Sequence, residues 1–180
     1  MAAQACNQNK DCKKQYAMHY TITSAQKKLE GRISLPASKS ISNRALIINA
    51  LAYSPFDIEN LSDSDDTRVM MDVLNSNINR FDIGHAGTAM RFLTAFLAKI
   101  VGEWEITGSE RMQQRPIKIL VDALNQLGAR IEYIKNEGYP PLRIFGSNLK
   151  GGKLELDGSI SSQYISALLM IAPTIEGGLE

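Results

Sequence analysis

The stretch that decides the fold is residues 35–46, which read LPASKSISNRAL. Pro36 ends an alternating apolar and polar segment, and most of the residues directly after it are small or carry hydroxyl groups. A largely apolar run then continues over residues 43–52. Because hydroxyl side chains before an apolar run are typical of a capped helix start, this stretch predicts a strand, a Ser-rich turn and a buried helix in succession.

The same order of elements recurs further along the chain. After the first helix we expect a strand over residues 56–61 and a second helix over residues 68–74, with the acidic residues 63–66 capping its start. A second turn of small residues, 84–88, then precedes an apolar helix over residues 89–98. A recurrence of this kind indicates that one supersecondary unit is used several times.

The second unit shows the plan most completely. Its helix is followed by a predicted strand over residues 103–107, a helix over 115–127 and two alternating stretches, 129–134 and 142–145. Because alternation with period two predicts half-buried strands, the unit is interpreted as βαβαββ. In the first unit only residues 76–81 fill the corresponding gap, which is too short for a pair of full strands.

A third unit begins near the end of the sequence. A strand is expected over residues 152–156, and the turn 158–163 leads into an apolar helix over 164–172. The chain is expected to stop at Glu180 just as its next strand would begin. Units that pack apolar helices inward and sheets outward predict a layered α/β fold.

Composition places the chain among globular proteins. Its 180 residues carry 20 basic and 19 acidic side chains, a net charge of +1, and 44% are hydrophobic. This balance argues against intrinsic disorder and gives no electrostatic reason to expect a nucleic acid or a membrane as partner. No apolar stretch approaches the roughly 18–20 residues of a membrane span, and the start does not resemble a secretory signal, so a cytoplasmic location is expected.

The first 17 residues differ from the rest of the chain. They show no apolar periodicity, and we expect residues 1–17 to form a disordered extension. Cys6 and Cys12 in this polar segment are too few for a disulfide framework or a zinc site and are interpreted as unpaired thiols. His19 and His85 stand far apart without clustered Cys, Asp or Glu, so neither a metal nor a cofactor is expected.

Three helix starts rich in Ser, Thr and Gly are candidate anion sites, since free N–H groups and a partial positive charge attract phosphate or carboxylate. A hydroxyl cap alone is an ordinary structural feature. The cations near these starts are Lys39, Arg44, Arg91, Arg111 and Arg115. The combination favours a ligand with several negative charges, although Lys39 could simply be solvated and Arg115 could form a surface salt bridge.

Four motifs resemble those of one family, the 5-enolpyruvylshikimate-3-phosphate synthases (3-phosphoshikimate 1-carboxyvinyltransferases). The motifs are residues 35–46, residues 86–91, residues 111–117 and residues 158–163, in the order that the family has them. The resemblance extends from about Tyr20 to the end of the chain. It implies an inverted α/β barrel of the enolpyruvyl transferase type, built from βαβαββ repeats and truncated here. In the family two such globules enclose the active site.

The resemblance also implies a domain layout and a reaction. Residues 18–36 would be strands that pair with the missing second globule, and residues 37–180 would be the N-terminal globule with an incomplete third repeat. The family transfers the enolpyruvyl group of phosphoenolpyruvate to the 5-hydroxyl of shikimate 3-phosphate in chorismate and aromatic amino acid biosynthesis, without a metal. The chain would need the C-terminal globule, which the family carries in cis, and is expected to be inactive alone.

Site residues follow from the matching motifs. Lys39 corresponds to the catalytic lysine that touches both substrates. The implied shikimate 3-phosphate contacts are Lys39, Ser40, Arg44, Ser161, Ser162 and Gln163. The implied phosphoenolpyruvate contacts are Lys39, Gly87, Thr88, Arg115 and Gln163.

The sequence departs from the family at two positions beside the implied phosphoenolpyruvate site. His85 stands where the family usually has Asn or a small residue, and Phe92 where Pro is frequent.

Two alternative functions stay open. The chain could be a non-catalytic anion-binding fragment, or it could belong to the UDP-N-acetylglucosamine enolpyruvyl transferases. Against the second, the loop 108–116 has no cysteine and Lys39 is followed by Ser rather than Asn.

Overall fold

The structure is a computed structural model that describes Thr21, Thr23, residues 30–157, Ser159 and residues 161–180. The predicted disordered extension 1–17, with Cys6 and Cys12, and also His19 lie outside the described residues. Contacts divide the chain into Met1–Ser34 and Leu35–Glu180. The described residues of the first unit are exposed and belong to no helix or strand.

The second unit contains five α-helices among the residues described. They are α1 (Lys39–Leu51), α2 (Asp65–Leu74), α3 (Gly87–Lys99), α4 (Lys118–Gln126) and α5 (Ser162–Ile171), with short 3-10 turns at Met112–Gln114 and Ala172–Thr174. Helix α1 starts earlier than the apolar run predicted, because the hydroxyl of Ser38 accepts a hydrogen bond from the Ile41 N–H at 3.4 Å. Lys39 and Ser40 therefore lie in the first helical turn rather than in the preceding loop.

The described residues also form six strands: β1 (Arg80–Asp82), β2 (Gly102–Thr107), β3 (Arg130–Tyr133), β4 (Leu142–Gly146), β5 (Lys150–Gly152) and β6 (Glu176–Leu179). The first four form one sheet in the order β1-β2-β4-β3. Strands β1 and β2 are parallel, and the β2–β4 and β3–β4 pairs are antiparallel. The chain from β1 to β4, with α3 and α4 between strands, is the βαβαββ unit that the sequence predicts.

The predicted strand over residues 56–61 is wrong. Residues 56–61 form no strand. Asn60 within this segment has a positive φ angle of 53°, which interrupts an extended backbone, and Tyr53 shortly before it has one of 49°. Its Phe56 side chain is 77% exposed rather than half-buried.

Three other strand expectations need adjustment. β1 overlaps the end of residues 76–81, a gap predicted to be too short for a pair of full strands. β5 precedes most of the predicted strand over residues 152–156. The chain does not stop before its next strand, because β6 pairs with β5 in parallel. Residues 30–36 carry no strand in the structure. Their pairing with a second globule stays a prediction.

Helix α3 is the centre of the fold. Eleven of its thirteen residues are buried, among them Met90, Phe92 and Leu93 at 0% exposure. The other four helices each contact it, and so do β2 and β4. A helix that is surrounded in this way must be apolar on nearly all faces, which explains why its sequence shows no polar side. None of the described helices is long and apolar enough to cross a membrane.

Buried hydrogen bonds hold α1 beside the segment that leads into α2. The Thr67 hydroxyl donates to Oδ1 of Asn43 at 2.7 Å, and the N–H of Ser62 donates to the Ser42 hydroxyl at 2.9 Å. All four residues are at least 94% buried, so these bonds form away from competing water. They fix the starts of α1 and α2 relative to each other.

Gly146 allows β4 to pass directly against the C-terminal end of α3. A Cβ at this position would overlap the carbonyl groups of Leu97 and Ile100. We expect Gly146→Ala to lower the free energy of unfolding by about 1–3 kcal/mol, because backbone atoms would have to move. Gly152→Ala is the matched control, since its Cβ would meet nothing within 4 Å. Urea unfolding curves compare the two variants, and equal midpoints would contradict this packing.

Candidate functional site

The site begins where β1 and β2 end side by side. Asp82 is in register with Thr107, so the turn after β1 lies next to the loop after β2. The N–H of Ile83 donates to Thr107 O and the N–H of Ser109 donates to Gly84 O, each at 3.0 Å. In α/β sheets the crevice outside the carboxyl ends of parallel strands is the usual place for a ligand.

Gly108 permits the close approach of these two loops. A Cβ on Gly108 would lie 2.7 Å from the carbonyl oxygen of Gly84 and 2.9 Å from Cγ of Met112. The Gly108 carbonyl in turn accepts a hydrogen bond from Nε2 of Gln113 at 2.8 Å. The loop after β2 is therefore held tightly against the turn that leads into α3.

The start of α3 is open to an anion. Its N-cap residue, Ala86, provides no side-chain hydrogen bond, and the first turn contains no acidic residue. The guanidinium of Arg115 lies directly against Gly87, in the space that a Cβ would occupy. A helix start without a side-chain cap, next to an arginine, combines N–H donors with a full positive charge.

Arg91 holds this arrangement from inside the core. It is 4% exposed, and it donates to Gly87 O at 3.0 Å and to Pro116 O at 3.2 Å. Its guanidinium lies 5.9 Å from the ring centre of Tyr164, whose hydroxyl donates to the same Pro116 carbonyl at 2.6 Å. Burial lowers the pKa of Arg91, and Tyr164 partly offsets that effect. Arg91 is thus a link between α3 and the residue after Arg115, not a free cation as the sequence suggested.

Lys39 forms an ion pair that sequence reasoning missed. Its Nζ lies 2.9 Å from Oδ2 of Asp66, in the first turn of α2, and the two side chains are 48% and 11% exposed. The sequence explains the acidic run 63–66 as a helix cap, and Asp65 and Asp66 do lie in the first turn of α2. No sequence pattern predicts the ion pair between Lys39 and Asp66, because the two residues are 27 positions apart.

Arg44 connects three helices. It donates to Ser40 O and to the Ser166 hydroxyl of α5, both at 2.9 Å. Its guanidinium also stacks 5.3 Å from the ring centre of Phe92 in α3. Ser166 is a second residue that the sequence did not single out, and Phe92 here supports a charged side chain.

The start of α5 meets the start of α3 through one hydrogen bond. Nε2 of Gln163 donates to the Thr88 hydroxyl at 3.3 Å. Ser161 caps α5, since its hydroxyl accepts from the Gln163 N–H at 3.3 Å. Ser162 is exposed in the first helical turn.

The structure therefore joins the predicted site residues in three groups around the start of α3. Gly87 contacts Arg115, Thr88 contacts Gln163, and Arg44 reaches α5. Lys39 has no direct contact with Arg115 among the described residues, and the link between the groups is Arg91, whose pKa responds to the charges of both Arg115 and Asp66. In the described part of the chain, no three His, Cys, Asp or Glu residues are grouped to hold a metal.

A family model described as EPSP synthase (3-phosphoshikimate 1-carboxyvinyltransferase) matches residues 23–78 and 75–180. The 3-phosphoshikimate 1-carboxyvinyltransferase of Bacteroides fragilis (strain YCH46) is 58% identical over 163 residues, which cover 91% of this chain and 40% of the relative. The protein of the same description from Actinobacillus pleuropneumoniae serotype 5b (strain L20) is 47% identical over 182 residues, covering 85% of this chain and 42% of the relative. The chain thus spans about 40% of the length of the curated relatives it matches.

The fold is similar to that of solved EPSP synthases. The 2.37 Å structure of EPSP synthase from Acinetobacter baumannii superposes with a TM-score of 0.70 at 22% identity and covers 82% of this chain and 39% of that one. The predicted α/β fold of the enolpyruvyl transferase type is confirmed, and the chain accounts for part of it.

The contact between Gly87 and Arg115 predicts that a side chain at position 87 weakens anion binding without lowering the stability of the fold. We expect Gly87→Ala to displace the Arg115 guanidinium and to weaken sulfate binding at least about tenfold, because a hydrogen bond to a charged group contributes about 1.5–3 kcal/mol. The urea midpoint should change little, since the displaced atoms end a flexible side chain. Titration calorimetry with sodium sulfate measures the affinity, with Gly152→Ala as control. Binding equal to the unsubstituted chain would contradict the assignment.

Proposed function

The chain belongs to the EPSP synthase family, and on that basis we propose that it forms one side of an active site for enolpyruvyl transfer. The donor would be phosphoenolpyruvate and the acceptor the 5-hydroxyl of shikimate 3-phosphate. The observation that carries the proposal is the meeting of Gly87, Arg115, Thr88 and Gln163 at the open start of α3. The family match favours this activity over the UDP-N-acetylglucosamine transferases that the sequence left open.

The donor would lie at the start of α3. Phosphoenolpyruvate carries a phosphate and a carboxylate, and the first-turn N–H groups of α3 with the Arg115 guanidinium supply donors and charge for both. Gly87 matters here because its lack of a side chain leaves room for Arg115. Thr88 and Gln163 would complete the contacts, with their mutual hydrogen bond holding α3 and α5 at a fixed spacing.

The acceptor would lie between the starts of α1 and α5. Ser161, Ser162 and Gln163 stand at the N-terminus of α5, a position that favours the 3-phosphate. Arg44 and Ser40 would contact the carboxylate and ring. Because Arg44 is already bonded to Ser40 and Ser166 and stacked on Phe92, it would bind without first being ordered.

Lys39 would contact both substrates. Its ammonium is anchored by Asp66 yet half-exposed, so it can approach a ligand without losing its ion-pair partner. In the addition step, the acceptor oxygen bonds to C2 of phosphoenolpyruvate, the hydroxyl loses its proton and the methylene carbon gains one. In the elimination step, the bond from C2 to the phosphate oxygen breaks, the methyl group gives up a proton, and the double bond of the enolpyruvyl product forms again. Two polyanions must be brought together for this, and fixed cations and helix starts offset their repulsion.

The second half of the active site would come from a C-terminal globule. About 60% of the length of each relative has no counterpart in these 180 residues. The exposed side chains of Ile33 and Leu35, each 83% accessible, support pairing of this segment with another body. A non-catalytic anion-binding role is the second candidate, favoured by the helix start of α3 that carries no side-chain cap and lies beside Arg115. Activity measurements separate the two.

Ser162 provides the cleanest test of the acceptor site, because Ser161 also caps α5. We expect Ser162→Ala to weaken binding of shikimate 3-phosphate about tenfold or more, since it removes a hydroxyl donor to a charged phosphate. Ser159→Ala, a neighbouring exposed serine outside the helix, should bind as the unsubstituted chain does. Titration calorimetry compares the three proteins. Equal affinities would remove Ser162 from the acceptor site.

Catalysis is tested by reconstitution. The chain alone should release no phosphate from phosphoenolpyruvate and shikimate 3-phosphate, and turnover should appear when the C-terminal part of the Bacteroides fragilis relative is added. Lys39→Met should reduce that turnover about 10²–10⁴-fold, the usual contribution of a positioned acid or base. The control Lys153→Met changes an exposed surface pair instead. Continued absence of turnover after reconstitution would favour the non-catalytic alternative.

A further inference from the structure

Two residues about one helical turn apart on α1 each bond to the first turn of α2. Nζ of Lys39 lies 2.9 Å from Oδ2 of Asp66, and Oδ1 of Asn43 accepts a hydrogen bond from the Thr67 hydroxyl at 2.7 Å. Residues four positions apart share one helix face, and Asp66 and Thr67 are consecutive. The position of Thr67 therefore sets where the Asp66 carboxylate stands relative to Lys39.

The two contacts differ in strength because they differ in burial. The Lys39 side chain is 48% exposed, and an ion pair that water reaches contributes little to holding two helices together. Asn43 and Thr67 are both at 0% exposure, where a hydrogen bond meets no competing water. The buried bond is thus the one that positions the two helices, and the ion pair follows from it.

Helix α2 depends on α1 because its own start is weakly capped. The N-cap residue, Ser64, makes no side-chain hydrogen bond to the N–H groups of the helix. Its hydroxyl instead lies 3.0 Å from the Thr67 hydroxyl, so that Ser64, Thr67 and Asn43 form one chain of polar groups. The first turn of α2 is therefore placed by contacts with α1 rather than by a cap of its own.

Among the described residues, the Asn43 amide is held through its oxygen alone, because its buried Nδ2 has no hydrogen-bond partner. A buried donor without an acceptor is costly, so the amide is kept in place by what its Oδ1 gains from Thr67. Removal of the Thr67 hydroxyl leaves both polar groups of the amide unpaired. A rearrangement of the contact between α1 and α2 is the expected result.

We propose that Thr67 is a positioning residue for Lys39. Its hydroxyl, bonded to Asn43, fixes the first turn of α2, and the Asp66 carboxylate in that turn directs the Lys39 ammonium. A half-exposed lysine can adopt many rotamers, and a fixed ion-pair partner reduces the number from which a ligand must select. The inference rests on the proposed function for its consequence, because Lys39 is assigned there to both substrates.

Amine reactivity tests this proposal in the full 180-residue chain without any substrate. The chain is acetylated briefly with acetic anhydride, and mass spectrometry of its peptides gives the rate at Lys39 relative to that at Lys153, an exposed lysine in another ion pair. We expect Thr67→Val to raise this ratio about two- to fivefold, because the ammonium no longer has to leave a weak ion pair before it reacts. Asp66→Asn should give the same rise.

Matched variants separate positioning from packing. Thr67→Ser keeps the hydroxyl and should restore the ratio of the unsubstituted chain. Thr94→Val removes a hydroxyl that is also at 0% exposure and donates to Met90 O within α3, and it should leave the ratio unchanged. Thr67→Ala removes the hydroxyl with a better helix former and repeats the test, and urea unfolding verifies that the variants fold. A ratio that Thr67→Val and Thr67→Ala leave unchanged, or that Thr94→Val raises equally, would overturn the inference.

Titration calorimetry with shikimate 3-phosphate connects the positioning to the site. Its affinity should fall in Thr67→Val and return in Thr67→Ser, in step with the reactivity ratio. Unchanged affinity would restrict Thr67 to helix packing and overturn its role in the site. Absence of binding by the unsubstituted chain would count against the proposed function alone, since the reactivity of Lys39 is measured without a ligand.

Discussion

The site depends on one buried charge, the guanidinium of Arg91. A charge enclosed in a protein core is costly unless its hydrogens are bonded, and Arg91 donates to the carbonyl groups of Gly87 and Pro116. Those two bonds fix the start of the central helix against the loop that carries Arg115. The contact of Arg115 with Gly87 follows from this connection, because Arg115 immediately precedes Pro116.

The starts of α1, α2, α3 and α5 contribute to the candidate site because α3 is packed on almost every side. α1 and α2 are joined by buried polar bonds near their first turns, and α5 reaches α3 through Gln163 and Thr88. Each start adds a partial positive charge, and Lys39, Arg44 and Arg115 add full ones. A surface of this kind suits ligands with several negative charges, which is the physical basis for the proposed substrates.

Some elements were predictable and others were not. The helices α1 and α3 follow from long apolar runs after small or hydroxyl residues, and the strands β2 to β4 from alternation. The strand expected over residues 56–61 is absent because no described strand pairs with this segment and Asn60 within it has a positive φ angle. β1 is missed because three residues are too few to show a period.

The sequence by itself determined the capped starts of α1 and α5 and the repeated plan of the chain, whereas the candidate site residues follow from its resemblance to a family and stay predictions. The capped starts depend on neighbours within a few positions, such as Ser38 with Ile41 or Ser161 with Gln163. Only the tertiary structure decided that Asp66 anchors Lys39, that Ser166 and Phe92 hold Arg44, and that Arg91 faces inward. The partners in these contacts lie on different helices, as far as 122 residues apart, and packing alone brings them within bonding distance.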